Sequence, residues 1–342
     1  DDRFSGLGQG FDRMSAPDEP QRGAAATIAR LLGWLSAAEA APLFVWLHLF
    51  DAHAPYVVPP EYQRLYYPGD GDPYAESRPA LEGRAQPNWD EKVRDPEWLI
   101  AQYKSQVSYL DDRLAELFAL PRFAGAITAI TADHGESLDQ HGIYYSHAEL
   151  YPDTLHVPLI LAGPGLITGE RVTRPVRQID VGRTLLDLAG LEQARFPGTN
   201  LLEEGAPDRV EPRFALSSQA LSASIQLGRW FLVLHLSDEP IENGRERPRH
   251  DVELYDLNAD PGCQDSLTGS HRSQAKRLRG ELVAWLVAAE TKRFRDWDSA
   301  PRAEELQRMA ELGYAEGTSE PQSSAWFDAD CGCPACVGWR ED

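Results

Sequence analysis

The sequence predicts an α/β fold, in which a doubly wound, mostly parallel sheet, present in part, precedes a small antiparallel α+β subdomain. Three observations predict it. Residues 43–50, 126–131 and 157–162 are apolar runs, and the first two end in an Asp and a His. Parallel strands covered on both faces are apolar along their length, and α/β folds place ligands at their carboxyl ends. Amphipathic helical segments alternate with these runs. After Phe214 the pattern changes to short strand-like runs about Gly228 and Arg229.

Taken in order, residues 23–38 set Ile28, Leu31, Leu32 and Leu35 on one helical face, and Pro42 interrupts before the first strand. Residues 57–96 are rich in Pro, Gly and charge without a period. A stretch of that kind directly behind His53 reads equally as a substrate-selecting lid and as a surface insertion. Residues 97–118 space Leu99, Tyr103, Val107, Leu110, Leu114 and Leu117 as one stripe of a long helix. Strand, helix, strand in that order implies a right-handed crossover. Residues 179–188 give another helix. Residues 223–227, 230–236 and 252–255 read as antiparallel strands, with a helix over 273–290 against them. The expected divisions are 1–212, a catalytic α/β portion; 213–292, the small subdomain; and 293–342, a helix or polar tail, mobile over 317–324.

Acidic residues number 54 against 33 basic ones, a net charge of −21. That balance disfavours nucleic acid and anionic membranes as partners, and it keeps the chain soluble. It also repels an anionic ester at long range, so a local cation must supply attraction at a site. No apolar run is long enough to span a bilayer. The four cysteines, Cys263 alone and Cys331, Cys333 and Cys336 together, are no disulfide framework. The cluster binds zinc if a fourth ligand comes from elsewhere, and otherwise reads as redox-labile tail.

The residues that carry chemistry sit at the ends of the apolar runs. Asp133 and His134, in TADHGE, can bind one metal ion together where the backbone turns, although an Asp cap with a surface His looks the same. Asp51 and His53, in DAHAPY, end the first run, and SHAELYPDTLH precedes the third. Three such units in order argue for one edge of a sheet.

The ordered set DAHAPY, TADHGE, SHAELYPDTLHVPLIL and IDVGRTLLDLAG resembles the sulfatase family of the alkaline phosphatase superfamily. ELYDLNADP at 253–261 and ELGY at 311–314 are similar to C-terminal landmarks of the family, so the likeness runs from about residue 10 to 314. It implies an alkaline-phosphatase-like fold and a divalent metal held by Asp133 and His134. Oxygen donors suit Ca2+, while the His ligand also admits Mn2+ or Zn2+. It implies that His53 contacts the ester or protonates the leaving group. His147 stands where many members carry a Lys on the sulfate, a departure that leaves phosphate open as a substrate. Glu136 and His141 are candidates to support these groups, and Asp51 to orient His53 or the turn, or to join a two-metal site.

The family's nucleophile, a Cys or Ser in C/S-x-P-S/A-R that is oxidised to formylglycine, is absent from this sequence. Residues 77–84 mimic part of that motif, but they lack its Arg and lie downstream of His53. Asp1 and Asp2 follow no strand and are poor stand-ins for the family's first acidic ligands. The expectation is therefore a chain lacking an N-terminal half, inactive alone, whose substrate is a small-molecule or glycan sulfate or phosphate ester. A phosphonate ester hydrolase or phosphoethanolamine-type transferase is the neighbouring reading, and a non-catalytic binding or split-protein subunit is the other. The resemblance further suggests a cell-envelope, periplasmic or secreted location.

Overall fold

The computed structural model describes residues 8–17, 21–37, 42–81, 85–191, 196–203, 211–217, 221–238, 247–291, 327–328 and 330–341. Asp1, Asp2, the 311–314 landmark and the 317–324 stretch lie outside the described residues. The chain divides into two compact units, one made of Asp1–Leu81, Asn88–Pro121 and Ser299–Glu320, the other of Glu82–Pro87, Arg122–Asp298 and Pro321–Asp342.

The first unit holds helices α1 (Ala24–Ala37) and α2 (Pro96–Phe118). α1 buries Ala24, Ile28 and Leu31, close to the predicted face, while Leu32 is exposed. α2 starts where Asp95 accepts a hydrogen bond from the Glu97 backbone N–H and Pro96 occupies the first turn, both favourable at a helix N-terminus. Its buried face differs from the predicted stripe. Leu99 and Leu117 are buried, but Val107 is exposed and Gln102, Ser105 and Gln106 are buried instead. The partner of that face is loop backbone rather than apolar sheet. Gln102 donates to the Gln63 carbonyl (2.7 Å) and Gln106 to the Val57 carbonyl (3.2 Å). The aperiodic stretch after His53 is thus fastened down. Tyr67 donates to Asp95 at 2.7 Å, and Arg78 pairs with the same carboxylate at 2.5 Å.

The strand predicted over 43–50 is not one. A strand exists through its ladder, and this segment pairs with none among the described residues. Leu43, Phe44, Val45 and Trp46 are all exposed, Phe44 by 72%. An apolar run of this kind predicts strong binding of a hydrophobic dye. The enhancement of dye fluorescence should fall by more than half in the double variant Phe44→Ser, Trp46→Ser; an unchanged signal would place the dye site elsewhere.

In the second unit β1 (Thr128–Thr131) pairs with β2 (Leu159–Ala162), and the pair is antiparallel, with Thr128 opposite Ala162 and Thr131 opposite Leu159. The expected crossover joined 43–50 to 126–131 through the helix over 97–118, and among the described residues only its helix and second strand form; β1 and β2 are neighbours of another kind. Parallel neighbours need a crossover that climbs back along the sheet. The connection here holds only the single-turn α3 (Pro152–Leu155) and returns to the same end. Nor is this pair buried on both faces, since Ile160 is 55% exposed. Helix α4 (Gln178–Leu188) forms as expected.

The antiparallel strands and the helix expected over 223–290 form, with one strand more. β3 (Arg213–Leu216), β4 (Ser222–Leu227), β5 (Trp230–His235) and β6 (Val252–Asp256) form one antiparallel sheet in that order. Gly228, at φ +59°, permits the tight β4–β5 turn. One face presents Ala223, Ile225, Leu232, Leu234 and Leu254 to Leu278, Leu282 and Leu286 of α5 (Arg272–Thr291). Those leucines recur every four residues on one helical side and are fully buried, each stabilising by roughly 2–3 kcal/mol. The other face packs Phe231, Val233 and Tyr255 against Ile143, Tyr151 and Cys263. The terminal segment is more than a tail. It carries α6 (Pro334–Glu341), and Phe327, Cys336 and Trp339 join the core under α5.

Candidate active site

The second unit builds a cluster of Asp133, His134, Glu136 and His147 where β1 ends. Two close contacts set the backbone there. The Gly135 N–H donates to the Thr154 carbonyl at 2.8 Å, and the Gln178 side chain, in the first turn of α4, donates to the carbonyls of Ala132 and Asp133. A third pairing, Ser137 N–H to Ser146 carbonyl (2.9 Å) and back (3.2 Å), lays Glu136 beside His147.

The side chains then converge. Asp133 Oδ2 lies 3.7 Å from His134 Nε2, and the carboxylate is 72% exposed. His134 Nδ1 meets the Gly135 carbonyl at 2.7 Å. A carbonyl only accepts, so Nδ1 carries the proton and Nε2 carries the lone pair. The His147 ring stacks on that of His134, with centroids 4.0 Å apart and planes at 17°. His147 Nδ1 lies 3.3 Å from Oε1 of the buried Glu136, which fixes its proton on Nδ1 in the same way.

A divalent ion fits this donor set. A carboxylate oxygen and an imidazole lone pair 3.7 Å apart match two ligands at about 2.0–2.6 Å from one ion. The mixed oxygen and nitrogen donors leave the choice among Ca2+, Mn2+ and Zn2+ open.

His141 takes a different place. Its ring stacks on Tyr151 (3.8 Å, 9°), at the face of the four-stranded sheet. In the first unit His53 Nδ1 donates to the Ala54 carbonyl (2.7 Å) and its ring packs on Phe50 (4.6 Å). Asp51 sits against the start of α1. Burial pushes its carboxyl pKa up, and a hydrogen bond from the Ala24 backbone opposes the shift. That contact ties Asp51 to the first turn of α1. A pocket of about 200 Å³ follows His53, lined by Pro55, Tyr56, Val57, Tyr74, Trp89 and Trp98 among others.

Sequence reasoning singled out Asp133, His134 and His147 but missed Gln178, Gly135 and the 146–137 bridge that assemble them. Only Gly135, inside DHGE, carried a visible signal, since a glycine in such a turn marks close backbone approach.

Comparison with known proteins bears on the same segments. Residues 2–191 match the model of the family described as Sulfatase. The choline-sulfatase of Rhizobium meliloti (strain 1021) is 28% identical over 236 residues, covering 61% of this chain and 45% of the relative. Arylsulfatase K of Danio rerio is 32% identical over 108 residues, covering 30% of this chain and 20% of the relative. The chain spans less than half the length of these curated relatives. Among solved structures, the phosphonate monoester hydrolases of Silicibacter pomeroyi and Agrobacterium radiobacter are similar in fold, with TM-scores of 0.58 and 0.57 at 20% and 21% identity. They cover 78% and 81% of this chain, and it covers 60% and 64% of theirs. At that identity the likeness shows the alkaline-phosphatase-like α/β fold.

Proposed function

This chain belongs to the sulfatase family, and we propose that it forms part of a metal-dependent hydrolase of small-molecule or glycan sulfate esters. The observation that carries the reading is the pairing of Asp133 and His134 at 3.7 Å, with His147 stacked beside them and held by Glu136.

Asp133 and His134 Nε2 would hold the divalent ion. When bound, it supplies positive charge that neutralises the ester's nonbridging oxygens. The chain's own residues hold the ligands and position donors toward the ester. Gln178 and the Gly135–Thr154 bond keep the Asp133 and His134 backbone from turning. Glu136 holds the His147 proton on Nδ1, so His147 presents Nε2 to the ester, and protonation there adds a second donor. His53 is held likewise through Nδ1 by the Ala54 carbonyl, and on the family resemblance its Nε2 would contact the ester and, in the imidazolium form, give its proton to the leaving oxygen, returning to the neutral ring. The family's formylglycine motif does not occur in these 342 residues. His147, standing where many members carry Lys, favours as second reading a phosphate or phosphonate ester. An envelope, periplasmic or secreted location is proposed with the family. Among the described residues no helix is long and apolar enough to cross a membrane.

The test compares the 342-residue chain with a polypeptide extended upstream in its reading frame, on aryl sulfates and aryl phosphates. The shorter chain should turn over neither. The extended one should prefer the sulfate and lose about a hundredfold in kcat/KM on Asp133→Asn, roughly 2.7 kcal/mol of transition-state stabilisation. A preference for phosphate selects the second reading. Turnover by the shorter chain that Asp133→Asn abolishes would show a nucleophile within it.

A further inference from the structure

The C-terminal cysteines find their missing partner in the four-stranded sheet. His250 occupies the turn that leads into β6, at φ +67°, with its backbone N–H on the His235 carbonyl at 2.7 Å. Its Nδ1 lies 3.2 Å from Cys336 Sγ, 3.3 Å from Cys333 Sγ and 3.5 Å from Cys331 Sγ. The four ligand atoms all fall within 4.8 Å of one another. We propose that His250, Cys331, Cys333 and Cys336 bind one structural zinc ion that fastens the terminal segment to the sheet.

Three features of the cluster argue for a metal rather than for hydrogen bonding or a disulfide. One Nδ1 proton satisfies one acceptor, and here three sulfurs surround one nitrogen at nearly equal range. A tetrahedral ion with Zn–S of about 2.3 Å and Zn–N of about 2.0 Å sets its sulfur–nitrogen separations near 3.5 Å, in line with those seen. A disulfide would use two of the three sulfurs and leave the third thiol and the imidazole unexplained. All three thiols are free in the structure.

The surroundings complete the site. Three thiolates and one Zn2+ carry a net single negative charge, and Arg279 donates to Cys336 Sγ at 3.1 Å to balance it. The Cys336 backbone N–H donates to Cys333 Sγ (3.4 Å) at the start of α6. The His250 ring rests on Phe327, centroids 4.7 Å apart. Arg272 covers Trp339 at 3.7 Å and donates to the Gly338 carbonyl. The ligands lie 81 to 86 positions apart in sequence, so the ion closes a long loop over the core beneath α5. Thiolate and imidazole donors select zinc over the hard cations that suit carboxylate oxygens, so this site is separate in chemistry from Asp133 and His134.

Elemental analysis of the full 342-residue chain carrying Asp133→Asn, so that the Asp133–His134 pair contributes no metal, purified without chelator under reducing conditions, should find one zinc per chain, unchanged when Cys263→Ala is added. Cys333→Ser and His250→Ala should fall to background. Because those variants can lose metal by failing to fold, the wild-type chain is also exchanged into cobalt. It should show intense thiolate-to-cobalt charge transfer with tetrahedral ligand-field bands, and a chelator that bleaches them should lower Tm. A metal-free chain with three reactive thiols in the cluster, a disulfide among Cys331, Cys333 and Cys336, iron in place of zinc, or an octahedral cobalt spectrum would each overturn the proposal.

Discussion

Gly135→Ala is expected to cost about 3 kcal/mol or more of stability, at the upper end of overpacking penalties, and to weaken divalent-metal binding at Asp133 and His134 at least tenfold. A Cβ at this position would lie 2.0 Å from the Asp153 carbonyl oxygen and 3.1 Å from its carbon. The obstacle is backbone, so no side chain can swing away. Either the 133–137 turn or α3 must retreat, and the Gly135–Thr154 hydrogen bond is strained or lost with it. Since Asp133 and His134 hang from that turn, a displacement of about 1 Å spoils the pairing of their donor atoms. Thermal melts and Mn2+ titration followed by electron paramagnetic resonance report the two effects separately. Gly125→Ala is the control, because nothing lies within 4 Å of its added Cβ; it should stay within about 0.5 kcal/mol of wild type. A Gly135→Ala chain with unchanged Tm and metal affinity would mean that this close approach does not shape the site.

The contrast between neighbouring segments shows what a sequence discloses. The β4–β5 hairpin was legible because the alternation of β4, the continuous apolar run of β5 and Gly228 between them are local signals, and each strand finds its partner within a few residues. The 43–50 run has the same apolar composition but no ladder among the described residues, and composition cannot report a distant partner. The polar face of α2 was misread for a related reason. Gln102 and Gln106 are buried because what they cover is a row of loop carbonyls, which no apolar periodicity announces. Asp133 and His134 were legible because they are adjacent in sequence. The stacking of His147 on His134 depends on the Ser137–Ser146 bridge, and His250 is a lone His in a loop until the chain brings the cysteines to it.

Two further motif segments meet in space, and their contact yields the largest expected dependence of stability on pH. Glu149 and Tyr151 follow His147, and Glu253 and Tyr255 lie on β6; both are written Glu-Leu-Tyr. In the folded chain Tyr151 and Tyr255 each donate to Glu253 Oε2, at 2.7 and 2.6 Å, while Arg247 lies 2.6 Å and His235 3.7 Å from Oε1. Burial by itself would raise the Glu253 pKa. His235 and the two tyrosine hydroxyls, favouring the carboxylate, reverse the direction and hold it down to about 2. A carboxylate whose pKa falls on folding stabilises fully above its unfolded value of 4.5, and that contribution drains away as pH drops from 4.5 toward 2. At about 1.4 kcal/mol per unit of pKa, the contribution is on the order of 3 kcal/mol. Glu149, buried beside Ser222, has its pKa raised by burial, so its contribution runs the other way and is lost as pH rises above its ordinary range. The two are separated by comparing wild type with Glu253→Gln. Unfolding free energies from urea titrations should differ by about 3 kcal/mol at pH 6, with Arg247 and His235 left facing a neutral amide, and the difference should shrink steadily below pH 4.5. Because Tyr151 lies four positions beyond His147, the variant should also disturb the His134–His147 stack, visible as a shift of both imidazole resonances. A wild-type-to-variant gap that stays constant from pH 6 to pH 2 would show that Glu253 stabilises by shape alone and not as a buried carboxylate.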